Sequence, residues 1–376
     1  MDVWTVKRCL DWTNEYLESK GDENPRLSAQ WLLTSATGLA RIELYTNADR
    51  PLSSDELDAM HRMVIRRAKG EPLQYIVGET SFRTIDIICE PGVLIPRPET
   101  EMLVEEVLTY LDREVFEEDS EAPRRAKAAL PWNAQVEAMR QAEEEKQRER
   151  EEEAKEQASE EPEASGEQPE QEPEQPEPTP APREPRTARI LEVGCGTGCI
   201  TLSFAAERAG RVTCVATDIN PQAVALACRN RDALGISPEV ADFREGNLVS
   251  PLDRETEWGT FDVLVSNPPY IPTSVLAEEV PAEVTEFEPH LALDGGTDGL
   301  DIFRRLVNAA PSMLKPGGLF ACELHETTLD AAAEICRRAG FERVRIARDL
   351  AGRPRFVLAC VPEPVVQSAR ERFARR

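Results

Sequence analysis

The chain has 376 residues and a formal net charge of −26, long enough for two or three domains with at least one sizeable core. That charge disfavours a nucleic-acid partner held by broad phosphate neutralisation, although it leaves room for a local basic groove. Residues 112–187 hold 24 acidic and 11 basic side chains, a balance of −13, so half of the excess sits in one segment. The nine cysteines are scattered with no CxxC pair, and the three histidines have no metal-site spacing. We therefore expect buried free thiols in a reducing compartment and no metal. "MDVWTVKRCLDW" lacks the apolar core of a signal peptide, and no apolar run is long enough to span a bilayer. The expectation is a soluble, cytoplasmic protein.

Residues 1–79 read as a helical module. Pro25 after Asn24 marks one helix start, leading into "LSAQWLL". Ser53 with Glu56 forms a capping box, followed at helical spacing by Leu57, Met60 and Val64, with Gly70 as a stop. Trp4, Trp12 and Trp31 are expected in its core. Residues 80–95, "TSFRTIDIICEPGVLI", alternate as two short strands around "EPG", a hairpin connecting two domains. "PRPETEMLVEEVLTYL" then opens a helix, with Met102, Leu103, Val107 and Leu108 on one face.

Composition changes over 112–187. "NAQVEAMRQAEEEKQREREEEAKEQA" combines helix formers with opposite charges four apart, such as Glu144/Arg148 and Glu151/Lys155, and has almost no apolar stripe. The Pro/Glu tract after it cannot bury a core and should be disordered. The stretch reads as an acidic insertion, a spacer or an arm for a partner, tolerable because loop-closure cost rises only logarithmically with length.

From Arg189 onward β-rich runs alternate with helical patterns: "RILEVG", "RVTCVAT", "PEVADFREG", "FDVLVS", "GGLFACEL", "ERVRIAR" and finally "RPRFVLACV". Such alternation implies a Rossmann-like, doubly wound, mostly parallel sheet with helices on both faces. Residues 96–111 and 188–363 would make this domain, and 364–376 a basic C-terminal tail. Ligands in such folds bind beyond the carboxyl ends of the strands.

The first of these strands ends in "LEVGCGTGC", giving Gly194, Gly196 and Gly198. Glycines there let a ligand approach the backbone and the next helix N-terminus. A dinucleotide fingerprint wants glycine at position 199, where Cys199 stands, so the pyrophosphate reading weakens. Asp218, at the end of the second strand, suits the hydroxyls of a ribose; the alternative is a helix N-cap. A nucleoside ligand without pyrophosphate points to S-adenosylmethionine.

The fourth strand runs into Asn267-Pro268-Pro269-Tyr270. An amide or aromatic amine nitrogen is a poor nucleophile because its lone pair is delocalised. A site helps by accepting hydrogen bonds from its N–H groups, through Asn267 Oδ1 and the carbonyl of Pro268, while Tyr270 packs on the flat group. Prolines fix φ and bring no competing donor. Asn267 and Pro268 are thus the catalytic candidates.

These stretches resemble class I S-adenosylmethionine-dependent methyltransferases of amino-type nitrogens. "EPLQYIVGETSF", "VLIPRPETE", "EPHLALDGGTDGLDIFRRL" and "LKPGGLFACEL" narrow the resemblance to the protein-(glutamine-N5) methyltransferases of the HemK/PrmC type, over about residues 25–362 apart from 112–187. The resemblance implies methylation of the glutamine in the Gly-Gly-Gln loop of peptide-chain release factors. It implies a helical N-terminal domain that helps dock that substrate; from the acidic charge and the lack of a spanning apolar run, no membrane and no direct nucleic-acid binding are expected. It places Gly194, Cys195, Gly196, Thr197 and Gly198 along the cofactor, Asp218 on its ribose, and Leu248 near the adenine, where relatives carry an aromatic. Asn267 would sit between cofactor and substrate, with Pro268, Pro269 and Tyr270 forming the glutamine pocket. Arg97 is a further substrate-contact candidate, with a structural salt bridge as its alternative. An adenine-N6 nucleic-acid methyltransferase shares the Asn-Pro-Pro-Tyr motif and is the competing enzyme reading. A non-catalytic binding protein with an acidic arm is the third, disfavoured because the nucleophile-positioning corner is intact.

Overall fold

The structure is a computed structural model in which residues 3–116, 186–278 and 280–374 are described. The acidic helix and Pro/Glu tract expected of the insertion fall, over residues 117–185, outside the described residues.

Five helices open the chain: α1 (Val6–Ser19), α2 (Pro25–Thr37), α3 (Glu43–Thr46), α4 (Ser54–Arg67) and α5 (Leu73–Val77). Pro25 occupies the first turn of α2, where its missing N–H costs nothing. Ser53 and Glu56 form the capping box of α4, and Arg66 and Arg67 close its last turn against the dipole. Leu17, Leu32, Leu33 and Leu44 are buried at the centre of this module. Each fully buried side chain of that size contributes roughly 1.5–3 kcal/mol. The tryptophans depart from expectation. Trp4 is only partly buried, and Trp12 is 44% exposed, stacked on Tyr16. Aliphatic side chains fill the centre and leave the indoles on its rim.

The hairpin pairs β1 (Glu79–Phe82) with β2 (Ile85–Ile88), antiparallel. Its turn is at Arg83–Thr84 rather than around "EPG", which follows the second strand. Arg83 takes a left-handed φ of 52°. Its backbone N–H donates to Glu101 and its guanidinium to Glu105 and Glu207, so side chains distant in sequence fix the turn.

Helix α6 (Thr100–Tyr110) continues into a π-turn at Leu111–Val115. There the buried Asp112 pairs with Arg208 at 2.6 Å, so these residues pack with the sheet despite their acidic composition. Seven strands follow: β3 (Ala188–Val193), β4 (Val212–Asp218), β5 (Ala241–Glu245), β6 (Phe261–Ser266), β7 (Leu314–Glu323), β8 (Glu342–Arg348) and β9 (Pro354–Cys360). They lie in the order β5-β4-β3-β6-β7-β9-β8. β3 to β7 run parallel, and β9 is antiparallel to both of its neighbours. Between them come α7 (Cys199–Glu207), α8 (Pro221–Ala233), α9 (Thr273–Glu278), α10 (Ala282–Phe287), α11 (Asp301–Met313) and α12 (Leu329–Arg338), with α13 (Glu363–Ala374) last. The runs Ile190–Val193 and Val263–Ser266, apolar but for Glu192 and Ser266, are buried throughout, as strands covered on both faces must be. Strand order reverses at β3, which lies between β4 and β6. The carboxyl ends of those three strands therefore flank the crevice. Among the described residues no helix is long and apolar enough to cross a membrane.

Candidate active site

A cavity of about 250 Å³ opens at those strand ends. One half is mainly backbone. Gly194 and Gly196 line it, both with positive φ, and a Cβ on Gly196 would meet nothing within 4 Å. The loop is thus a cradle that any side chain would narrow. Its shape is fixed from behind. Asn230, 1% exposed, donates to the carbonyl of Thr197 at 2.9 Å and exchanges hydrogen bonds with both backbone groups of Ile88. Glu192 accepts from the backbone and hydroxyl of Thr201 on α7. Burial pushes its carboxyl up to about 8, against the pull of those Thr201 hydrogen bonds.

Asp218 closes this half. Its carboxylate accepts from the N–H of Gly196 at 2.9 Å and of Asn220 at 2.8 Å, while Asn220 is the residue that caps α8. Burial raises the Asp218 carboxyl above its usual value, opposed by those backbone donors. Leu94, Ile219, Leu248 and Ala292 supply apolar wall. Leu248 holds a left-handed φ of 53°, rare for a leucine, with its carbonyl bonded to Thr217 Oγ1 at 2.8 Å.

The other half is the corner after β6. Ser266, Asn267, Pro268 and Pro269 line the cavity. Ser266 Oγ donates to the carbonyl of Val193 at 2.6 Å, tying the ends of β6 and β3 together. Asn267 Nδ2 donates to Thr100 Oγ1 at 3.0 Å, which leaves its carbonyl oxygen as the group offered to a guest. The glycine-rich loop after Asp294 buttresses the corner. The N–H of Ile271 donates to Leu293, that of Gly295 donates back to Ile271, and an ideal Cβ on Gly295 would lie 2.7 Å from Tyr270 Cα.

The structure thus brings Gly194, Gly196, Asp218, Leu248, Asn267, Pro268 and Pro269 around one cavity. Cys195, Thr197 and Gly198 are in the same loop but do not line it. Tyr270 also stands behind the lining, its hydroxyl donating to Glu323 at 3.2 Å. Arg97 is in an ion pair with Glu288 at 2.5 Å and does not line the cavity. The other oxygen of that buried glutamate accepts from the N–H of Ile95. Thr100, Asn230, Glu323 and Arg305 escaped the sequence reading. Arg305 lines the cavity and donates to Asn247 at 2.8 Å. A carboxylate inside the apolar run "LFACEL" was the available signal for Glu323.

A parallel sheet closed by one antiparallel strand, with an open glycine loop, a carboxylate at the next strand end and an Asn-Pro-Pro corner, defines a class I methyltransferase. Residues 8–78 match the PrmC N-terminal domain and residues 181–295 the methyltransferase small domain. A release factor glutamine methyltransferase of Geobacter sulfurreducens is 36% identical, covering 95% of this chain and 96% of its own. Those of Koribacter versatilis and Chlorobaculum tepidum are 31% and 33% identical, over 95% and 92% of this chain and 99% and 94% of theirs. The chain belongs to the release factor glutamine methyltransferase family. A solved methyltransferase of Pyrococcus furiosus is similar at 21% identity over 46% of this chain and 75% of that one, with a TM-score of 0.34, too distant to add to the fold traced here.

Proposed function

We propose that this protein methylates the side-chain amide nitrogen of the glutamine in the Gly-Gly-Gln loop of peptide-chain release factors, using S-adenosylmethionine, in the cytoplasm. The observation that carries this reading is Asn267, whose Nδ2 is taken by Thr100 and whose carbonyl oxygen is left for a guest beside an open glycine cradle. The cradle fits the cofactor: Gly194 and Gly196 leave room for its amino-acid end, Asp218 suits its ribose, and the apolar wall with Leu248 suits its base. When bound, the cofactor supplies a methyl carbon activated by a sulfonium.

The chain's own residues make the nitrogen available. Asn267 Oδ1 and the carbonyl of Pro268 accept from the two N–H groups of the substrate amide, holding its plane so that the lone pair faces the cradle. Pro268 and Pro269 fix their φ angles and bring no N–H to compete for the amide oxygen. Tyr270 stiffens the corner from behind. Orientation of this kind supplies on the order of 7–11 kcal/mol toward the barrier, so no histidine is required.

The test is to offer purified protein and labelled S-adenosylmethionine a release factor and an adenine-containing DNA in separate reactions. Label is expected on the release factor. Label on DNA alone overturns the reading in favour of an adenine methyltransferase.

A further inference from the structure

Beneath Asn267 runs a chain of hydrogen bonds that no local motif announces. Asn267 Nδ2 donates to Thr100 Oγ1 at 3.0 Å, and Thr100 Oγ1 donates to Glu323 Oε2 at 2.7 Å. The Tyr270 hydroxyl donates to Glu323 Oε1 at 3.2 Å. Thr100 opens α6, Glu323 ends β7, and both are almost wholly buried. The donor order follows from the chemistry. An ionised carboxylate has no proton to give, so both hydroxyls must donate to it. A threonine that has committed its one proton can only accept from Asn267. The asparagine must then turn its NH2 inward, with its carbonyl oxygen toward the cavity.

Resting on the reading of Asn267 as the acceptor for the substrate amide, we propose that Glu323 and Thr100 are positioning residues. The ionised carboxylate, acting through the threonine hydroxyl, locks Asn267 with its oxygen outward. One proton taken up from solvent by Glu323 reverses the order. The carboxyl O–H donates to Thr100 Oγ1, the threonine proton turns to Asn267, and the amide settles with its oxygen inward. The corner then offers NH2 to the NH2 of the substrate, and two donors face each other without an acceptor.

The groups around Glu323 leave both states accessible near neutrality. Burial raises its carboxyl to about 7. Thr100 and Tyr270, by their hydrogen bonds, and Arg355 of β9, by its charge, favour the carboxylate, whereas Glu99 before α6 opposes it. Glu99 is itself 3.5 Å from Arg353, which moderates that opposition.

The experiment uses the full chain, a purified release factor and saturating S-adenosylmethionine, and reads single-turnover rates against pH with calorimetric cofactor affinity alongside. Wild type should lose rate roughly tenfold per pH unit below about 7. Thr100→Val keeps the branched shape and removes the hydroxyl. It should turn over about 10- to 100-fold more slowly, with cofactor affinity unchanged and the acid limb gone. Thr100→Ser should restore both rate and limb. Glu323→Gln should also be slow and flat in pH; if it fails to fold, the threonine pair decides alone. Wild-type rate in Thr100→Val, or an acid limb that survives in folded Glu323→Gln, overturns the proposal. Asn267→Ala run in parallel separates the two claims. If it is slow while Thr100→Val is fast, only the relay falls; if it is as fast as wild type, the reading of Asn267 falls and the relay with it.

Discussion

The two halves of the cavity are built from different materials. The glycine half offers backbone, with Gly194 and Gly196 lining it and helix α7 directly behind. The corner half offers a side chain, Asn267, whose direction is set by Thr100 and Glu323 from elsewhere in the chain. The difference matches what each half would hold on the proposed reading, a cofactor in the first and a substrate amide in the second. A cofactor can be gripped at many points, so an open cradle suffices. An amide nitrogen needs acceptors at two defined positions, and a freely rotating carboxamide would offer the wrong end part of the time. Substitutions in the first half should therefore act on cofactor affinity and those in the second on turnover.

The largest effect should come from Asn267→Ala. Turnover is expected to fall about 10²–10³-fold, as for loss of one preorganised polar contact, with cofactor affinity kept in calorimetry. Loss of affinity with turnover intact would merge the halves. Gly295→Ala should come next. Its Cβ would lie 2.7 and 2.8 Å from backbone atoms of Tyr270, so the corner must move. A displacement on the order of 1 Å should slow turnover roughly 10- to 100-fold, again with the cofactor still bound.

Gly196→Ala tests the other half. Nothing lies within 4 Å of the added methyl, and the left-handed φ of 52° costs an alanine only about 1–2 kcal/mol, so the fold should survive while the cradle narrows. Cofactor affinity should weaken about tenfold, some 1.4 kcal/mol, and saturating cofactor should restore most of the rate. The smallest effect concerns Glu192 behind the cradle. Its folded carboxyl, raised to about 8, sits above the unfolded value of about 4.3, so the protonated form is the one folding favours. The stability it contributes is full below the unfolded value and is lost as pH rises through about 8. Glu192→Gln carries no charge to desolvate, so its melting temperature relative to wild type should climb by roughly 5–10 °C between about pH 6 and 9, most of it below pH 8. A difference that stays constant with pH would contradict this assignment.

The same contrast explains what could be read from the chain. The glycine loop, Asp218 and the Asn-Pro-Pro corner are contiguous motifs at strand ends, and the alternating runs after Arg189 place them on one edge. The seven strands form where the β-rich runs stand. The supports are different in kind. Thr100 and Glu323 are 223 positions apart and meet only when α6 packs against β7. Asn230 clamps the glycine loop to a hairpin 142 positions earlier. No local period encodes such pairs. The hairpin turn at Arg83 is of the same kind, since Glu101, Glu105 and Glu207 hold it from elsewhere in the chain. Arg97 belongs with them: its partner Glu288 lies 191 positions away, and a motif position alone does not reveal an ion pair.

The most direct check is to let the protein act on an unmodified release factor and to locate the added methyl by peptide fragmentation. One methyl on the side-chain nitrogen of the glutamine in the Gly-Gly-Gln loop is the expected result. A methyl on a carboxylate or a lysine of that protein, or none on it at all, would contradict the account of Asn267 as the acceptor that holds an amide.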